Sequence, residues 1–297
     1  MIHILDLKYL GIDHAIAAFL IETNAGPVLV ETGPHSTFEN LKAGVKTAGF
    51  DILDIKHVFL THIHLDHAGA AWALAQHGAM VYVHPFGEQH MADPTKLYNS
   101  AKRIYQDDMD RLWGDLKPIA REQLRAIDHG EKITVGDKTL TAWHTPGHAS
   151  HHIAWQMDEA LFTGDVAGVF IEKVLVQPPC PPPDINLELW EKSIALVRSL
   201  DIRKLYLTHF GIVENIDEHL DALRERMWEW ANWVKPHWEA GKSPQEVTPA
   251  FQEFANAQLK AAGATDAQLA RFEAANPAWM SVAGLMRYWK KKAEIRM

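Results

Sequence analysis

The sequence predicts an α/β core followed by a helical C-terminal appendage, and three observations carry that reading. Apolar, β-branched runs alternate with helix-spaced runs between residues 14 and 213, as expected when strands and helices are layered on one core. From Glu214 onward every periodic segment has helical spacing. Ligand-type side chains fall just past the ends of several strands, where open α/β sheets build their sites. The core is therefore expected over 1–213, with a helical insertion at about 93–126, and the appendage over 214–297.

Taken in order, His14 to Glu22 and Val28 to Glu31 read as strands around the turn Asn24-Ala25-Gly26-Pro27. Ser36 to Ala48 has helical spacing, with Ser36 as N-cap and Gly49 as stop. A buried strand at 55–60 and a helix at 68–77 flank the run Thr61-His62-Ile63-His64-Leu65-Asp66-His67. Met80 to His84 is a strand stopped by Pro85, and 93–126 is rich in charge, Tyr and Trp. Strands follow at 132–135, 138–143, 153–157 and 160–163. Gln177 to Asp184 holds five prolines and must be extended. A helix from Leu187 to Leu200 and a strand from Lys204 to Thr208 end the core, and helices are predicted over 216–240, 244–262 and 266–292.

The histidine-rich run carries the chemistry. Residues two apart in an extended segment point the same way, so His62 and His64 can aim at one point while the turn redirects Asp66 and His67 to a second. Imidazole and carboxylate are donors that zinc, iron and manganese accept. The plain alternative is a surface cluster in a chain with 18 histidines among 297 residues. Against it stand three further candidates at strand ends: His148 in His144-Thr145-Pro146-Gly147-His148, Asp165 in Thr163-Gly164-Asp165, and His209.

Composition bounds the rest. A net charge of −9 argues against a generic nucleic-acid binder, and no run of about 18 apolar residues suggests a membrane span. Cys180 is the only cysteine, which excludes intramolecular disulfides and leaves a passive thiol in the proline-rich loop. Met1 to Asp6 lacks a basic region ahead of a long apolar run. A cytoplasmic protein is expected. Arg287, Lys290, Lys291, Lys292 and Arg296 read as a solvated helix end, with an anionic substrate tail as the alternative partner. Trp228, Trp230, Trp233 and Trp238 fit core packing or a homodimer contact.

Together, Thr61-His62-x-His64-x-Asp66-His67, His148, Asp165 and His209 resemble the complete binuclear pattern of the metallo-β-lactamase superfamily, of the glyoxalase II-like kind. The resemblance covers about 14–212 and implies an αββα sandwich with metals at one edge of the sheets. It implies that His62, His64 and His148 hold one divalent ion, that Asp66, His67 and His209 hold a second, and that Asp165 bridges them. Zinc leads as the metal, with iron or manganese also suited. Asp66 and Asp165 are the implied catalytic carboxylates, and a hydroxide between the ions would attack an ester-like carbonyl, of a thioester or a lactone.

Departures refine the expectation. True β-lactamases of the superfamily typically lack the bridging aspartate, which disfavours antibiotic hydrolysis. Flavodiiron oxidoreductases tend to carry glutamate where His64 stands. A persulfide dioxygenase-like iron enzyme would keep one metal and lose ligands of the other. That oxidoreductase and a phosphodiesterase remain the alternatives to the ester hydrolase. Where the family often has Asp-Thr-Gly, this chain has Glu31-Thr32-Gly33, so Glu31 is expected to orient a ligand imidazole from behind. The glutathione-binding residues of glyoxalase II have no counterparts here. Lactonases rely on a pocket tyrosine, for which Tyr98, Tyr105 and Tyr206 are candidates.

A small-molecule substrate is expected, with neither nucleic acid nor membrane as partner. Its shape would be read by the insertion, the proline loop and the C-terminal helices. Tyr98, Tyr105, Trp113, Trp228 and Trp230 supply their aromatic content.

Overall fold

The apolar run Ala17–Ile21 is buried along its whole length, because alternate side chains of a strand enter opposite faces and both faces are covered. Ala17, Phe19 and Ile21 enter a core between two sheets, and Ala18 and Leu20 enter a core beneath outer helices. The computed structural model, which describes residues 1–296, repeats this layering throughout.

The first sheet runs β1 (Ile2–Asp6), β2 (Ala17–Ile21), β3 (Val28–Val30), β4 (His57–Phe59), β5 (Met80–Val83) and β6 (Leu124–Ala126). It is antiparallel up to β3 and parallel beyond. The second runs β7 (Lys132–Val135), β8 (Lys138–His144), β9 (Ile153–Met157), β10 (Ala160–Gly164), β11 (Lys204–Leu207) and β12 (Gly211–Val213). Only its β10–β11 pair is parallel.

Helices α1 (Phe38–Thr47), α2 (Leu65–Ala68), α3 (Ala71–Gln76) and α4 (Pro85–Ala92) lie on the first sheet's side. After α5 (Thr95–Tyr105) and α6 (Met109–Trp113), the second sheet's outer face is covered by α7 (Leu187–Ser199), α8 (Ile216–Glu239) and α9 (Pro244–Ala261). Then come α10 (Asp266–Ala275) and α11 (Ala278–Arg296), the latter also packed on that face. The fold is the expected αββα sandwich with C-terminal helices. Among the described residues no helix is long and apolar enough to cross a membrane.

Two backbone hydrogen bonds tie the sheets together beside the histidine-rich run. Ala17 N–H donates to Thr208 O (2.8 Å) and Ile153 N–H to Thr61 O (2.7 Å). Between the sheets, Phe162 lies 5.2 Å from the Phe19 ring and 5.1 Å from Tyr206. Trp155 satisfies its buried indole N–H on Leu60 O (2.9 Å).

The structure corrects several boundaries. The predicted helix 266–292 is two helices, because Pro277 cannot donate a helical hydrogen bond and Asn276 is extended away from helical geometry. The insertion predicted at 93–126 is α-helical only to Trp113, makes one 3₁₀ turn at Arg121–Gln123, and its last residues form β6, paired with β5. Pro85 does not merely stop a strand: it opens α4, with the His84 ring accepting from Phe86 N–H as a cap. Strands β1 and β12 carry too few residues or too mixed a pattern to be read in advance. The helix after the histidine-rich run begins at Leu65, earlier than the predicted 68, and breaks at Gly69.

Replacing Phe162 by alanine removes a fully buried ring at the centre of the inter-sheet core. The expected loss is about 3–5 kcal/mol of unfolding free energy, read from guanidinium midpoints at constant slope. A loss below about 1 kcal/mol would contradict this packing.

Candidate metal centre

The run 61–67 leaves the parallel strand β4 extended and turns into α2 at Leu65, with His64 still in extended geometry (φ −61°, ψ 150°). His62 and His64 therefore project together, and one helical turn brings Asp66 and His67 around beside them. Loops after β8, β10 and β11 deliver His148, Asp165 and His209 to the same sheet edge. All seven candidate ligands converge. Ring nitrogens of His62, His64 and His148 and a carboxylate oxygen of Asp165 lie within 4.8 Å of one another, and so do donor atoms of Asp66, His67 and His209.

Asp165 stands between the two groups. Its Oδ2 is 3.2 Å from His148 Nε2, while its Oδ1 is 3.3 Å from His67 Nε2 and 3.5 Å from His209 Nε2. Asp66 Oδ2 lies 3.6 Å from His67 Nε2 and 3.5 Å from His209 Nε2. Gly164 makes room for this carboxylate. At φ +49° it is in the left-handed region, and a Cβ there would stand 2.4 Å from Thr61 Oγ1 and 2.7 Å from His152 Nε2.

The outer nitrogens fix the tautomers. Nδ1–H of His148 donates to Pro179 O (2.9 Å), that of His209 to Ala15 O (2.8 Å), and that of His67 to Glu31 Oε1 (2.9 Å). Thr61 Oγ1 donates to Glu31 Oε1 and so accepts from His62 Nδ1 (3.0 Å). Each of these rings turns an Nε2 lone pair inward, as a metal-bound imidazole requires. Glu31 is fully buried and has φ +64°, an uncommon conformation for a non-glycine residue. Its longer side chain still reaches His67, in the position where the family's aspartate was expected to act.

Electrostatics test whether these residues fit a cation. Burial lowers His62 and His148 and pushes His64 down to about 4, keeping them neutral donors. Burial also opposes a charge on His67, but the carboxylates of Asp165, Asp66 and Glu31 overcome it and raise His67 well above the ordinary value. The carboxylates thus demand positive charge at this point. The inward atoms His67 Nε2, His209 Nε2 and Asp165 Oδ1 are buried without a hydrogen-bond partner, a costly arrangement unless something ligates them. Seven nitrogen and oxygen donors of these types fit divalent metal binding.

Other residues sit where sequence reasoning did not place them. His152 is buried, and its Nε2 accepts from the Asp165 backbone N–H (3.1 Å) while its Nδ1 meets the Thr145 hydroxyl (2.8 Å). Only its nearness to His148 in sequence hinted at this. Tyr206 is in the inter-sheet core, and Tyr98 packs in a small apolar cluster with Leu97 and Leu116. Trp228 and Trp230 pack in the core beneath α8 and α9.

Tyr105 and Trp113 do border the site, with Tyr9, Trp279 and Met280 as unforeseen neighbours, in a cavity of about 460 Å³ that opens onto His64, Asp66 and Asp165. Cys180 is buried beside it and burial pushes its thiol up, as a passive cysteine requires. In the basic run, Lys292 pairs with Glu188, and Arg287 and Lys291 donate to Pro183 O. The Arg296 side chain lies outside the described residues.

Comparison with known proteins places the chain. The family model for the metallo-β-lactamase superfamily matches residues 11–209. The metallo-β-lactamase fold-containing protein ST1585 of Sulfurisphaera tokodaii is 30% identical over 193 residues, 62% of this chain and 73% of its own. Its crystal structure superposes with a TM-score of 0.64, covering 76% of this chain and 86% of that one at 23% identity. The metallo-β-lactamase family protein TTHA1429 from Thermus thermophilus superposes at 0.72 and 20% identity, over 98% of this chain and 94% of that one. That fold likeness takes in the C-terminal helices. An atrochrysone carboxyl ACP thioesterase of Aspergillus fumigatus is 26% identical over 206 residues, 68% of this chain. This chain spans only 39% of that relative's length.

Glu31→Gln keeps the shape of the side chain and removes its charge. Metal affinity, measured by competition with a chelator, is expected to fall about 10–100-fold with an unchanged circular dichroism spectrum. Undiminished affinity would show that the charge behind His67 is idle.

Proposed function

Because the chain belongs to the metallo-β-lactamase superfamily, we propose that it is a binuclear metal-dependent hydrolase of ester-like bonds, with a thioester ahead of a lactone. The observation that carries this reading is the Asp165 carboxylate, one oxygen toward His148 and the other toward His67 and His209. A carboxylate shared in this way offsets the repulsion of two cations. His62, His64 and His148 would hold one ion and Asp66, His67 and His209 the other, zinc being favoured and iron or manganese suited. Such ions supply a nucleophilic water at neutral pH and polarise the carbonyl under attack.

The chain's own residues do the rest. Leu10, Ile16, Leu97, Ile104 and Trp279 give the cavity an apolar wall that binds the acyl part and excludes water. Tyr9 and Tyr105 stay protonated, since burial raises both phenols above their ordinary value, so each adds a neutral phenol to the cavity that Asp66 also lines. A thiolate leaving group needs little help from an acid, because free thiols ionise near a pKa of about 8.5. The thioesterase relative supports the same choice of bond, within the part of it that this chain matches. The cavity's one arginine, Arg111, is paired with Asp108 (3.0 Å), which weakens the case for phosphodiesters.

The test is a panel of acyl thioesters, lactones, aryl esters, phosphodiesters and a β-lactam with metal-loaded protein. Apolar acyl thioesters should turn over fastest, and Asp165→Asn should lower kcat/KM at least about 10²-fold, the scale for losing a group aimed at the reacting centre. A phosphodiester as the preferred substrate, or wild-type turnover by the variant, would overturn the proposal.

A further inference from the structure

We propose that helix α11 is a positioning element for the metal centre, acting on His148 through the proline loop 177–184. The inference rests on the reading of His148 as a ligand and goes beyond it, because α11 itself touches no candidate ligand through the contacts described below.

The loop cannot brace itself. Pro178, Pro179, Pro181, Pro182 and Pro183 have no backbone N–H to donate, so its position depends on what packs against it. At one end Gln177 exchanges backbone hydrogen bonds with Val169 (2.8 and 2.9 Å). At the other end Asp184 Oδ2 accepts from Ser150 Oγ (2.7 Å) and Ser150 N–H (3.4 Å), and between these ends the loop is braced from the C-terminal helices. Asn276, at the break before α11, donates from Nδ2 to Gln177 Oε1 (3.4 Å). Ser281 Oγ accepts from Cys180 N–H (3.4 Å) and donates to Asn276 Oδ1 (3.2 Å). Arg287 Nε and Lys291 Nζ both donate to Pro183 O (3.2 and 2.7 Å).

The tightest point is Gly284. Here the helix backbone lies directly on the loop, and a Cβ would stand 1.9 Å from Cys180 O and 2.8 Å from the Pro181 carbonyl carbon. Both are backbone atoms, so no side-chain rotation can relieve the clash. Helix and loop would have to separate. The residue before Cys180 is Pro179, whose carbonyl accepts from His148 Nδ1 (2.9 Å). That bond sets both the tautomer and the aim of a ring whose Nε2 is 3.2 Å from Asp165 Oδ2. The route therefore runs from Gly284 to Cys180, to Pro179, to His148, each step a contact or one peptide. Outer partners of ligating histidines tune metal affinity by about 10–100-fold when lost.

The test compares wild type, Gly284→Ala and Ser281→Ala by zinc affinity and by the visible spectrum of the cobalt(II)-substituted proteins. Gly284→Ala should weaken one of two metals about 10–100-fold and shift the cobalt spectrum, with far-ultraviolet circular dichroism unchanged. Ser281→Ala, which removes two long hydrogen bonds (3.4 and 3.2 Å) and forces no backbone apart, should weaken the same metal by less. A folded Gly284→Ala protein with wild-type affinity for both metals would overturn the proposal, as would an equal loss of both.

Should Gly284→Ala fail to fold, hydrogen exchange of the wild-type protein decides. Binding free energies are reciprocal, so stripping the metals should speed exchange in 281–288 more than in α9. Equal exchange there with and without metal would refute the route. None of these readouts needs a substrate, so an enzyme inactive on the whole panel would leave this inference standing or falling by itself.

Discussion

Three carboxylates and five imidazoles share one water-poor edge of the sandwich, and that electrostatic demand organises the molecule around it. Glu31 is fully buried and Asp165 nearly so, at a site where an uncompensated charge is costly. The carboxylates raise His67 against its own desolvation, so they favour positive charge there. Every contact behind the ligands serves the same end. Glu31, Ala15 O, Pro179 O and the Thr61 hydroxyl each receive an outer imidazole N–H and leave the inner nitrogen free.

The sandwich explains why residues so distant in sequence can meet. Two sheets, joined at one edge by the Ala17–Thr208 and Ile153–Thr61 hydrogen bonds, present the loops after β4, β8, β10 and β11 side by side. The apolar layers on either side hold that edge rigid, and Gly164 provides the tight backbone approach that lets Asp165 reach both groups. The helices beyond β12 then complete the cavity from outside the common core. Trp279 and Met280 supply a wall, and α11 holds the proline loop.

The clustering of the seven candidate side chains was legible because it depends on local rules. Period-two geometry couples His62 to His64, a strand-to-helix turn redirects Asp66 and His67, and strand ends place His148, Asp165 and His209. What lay behind the ligands was only partly legible. Glu31 carries a side chain that sequence can name, whereas Ala15 and Pro179 act through backbone carbonyls that leave no trace in residue identity. The cavity walls were half legible. Tyr105 and Trp113 border it as anticipated, but Trp228 and Trp230 went to the helical core because tertiary packing, not composition, decides which face of an aromatic-rich helix is buried. Tyr9 was missed as a lone aromatic in a segment with no periodic signal, and Trp279 because helical periodicity over 266–292 does not say which face meets the cavity. The break at Asn276-Pro277 was missed, although the proline marks it, and it separates α10 from the α11 that reaches the loop.

We propose above all that Asp165 stands between two metal ions. Anomalous diffraction at the metal edge, from crystals of protein loaded with zinc, addresses it directly. The account predicts two peaks, one beside His62, His64 and His148 and one beside Asp66, His67 and His209, with the Asp165 carboxylate touching both. A single peak at saturating metal, or two peaks of which Asp165 touches only one, would contradict it.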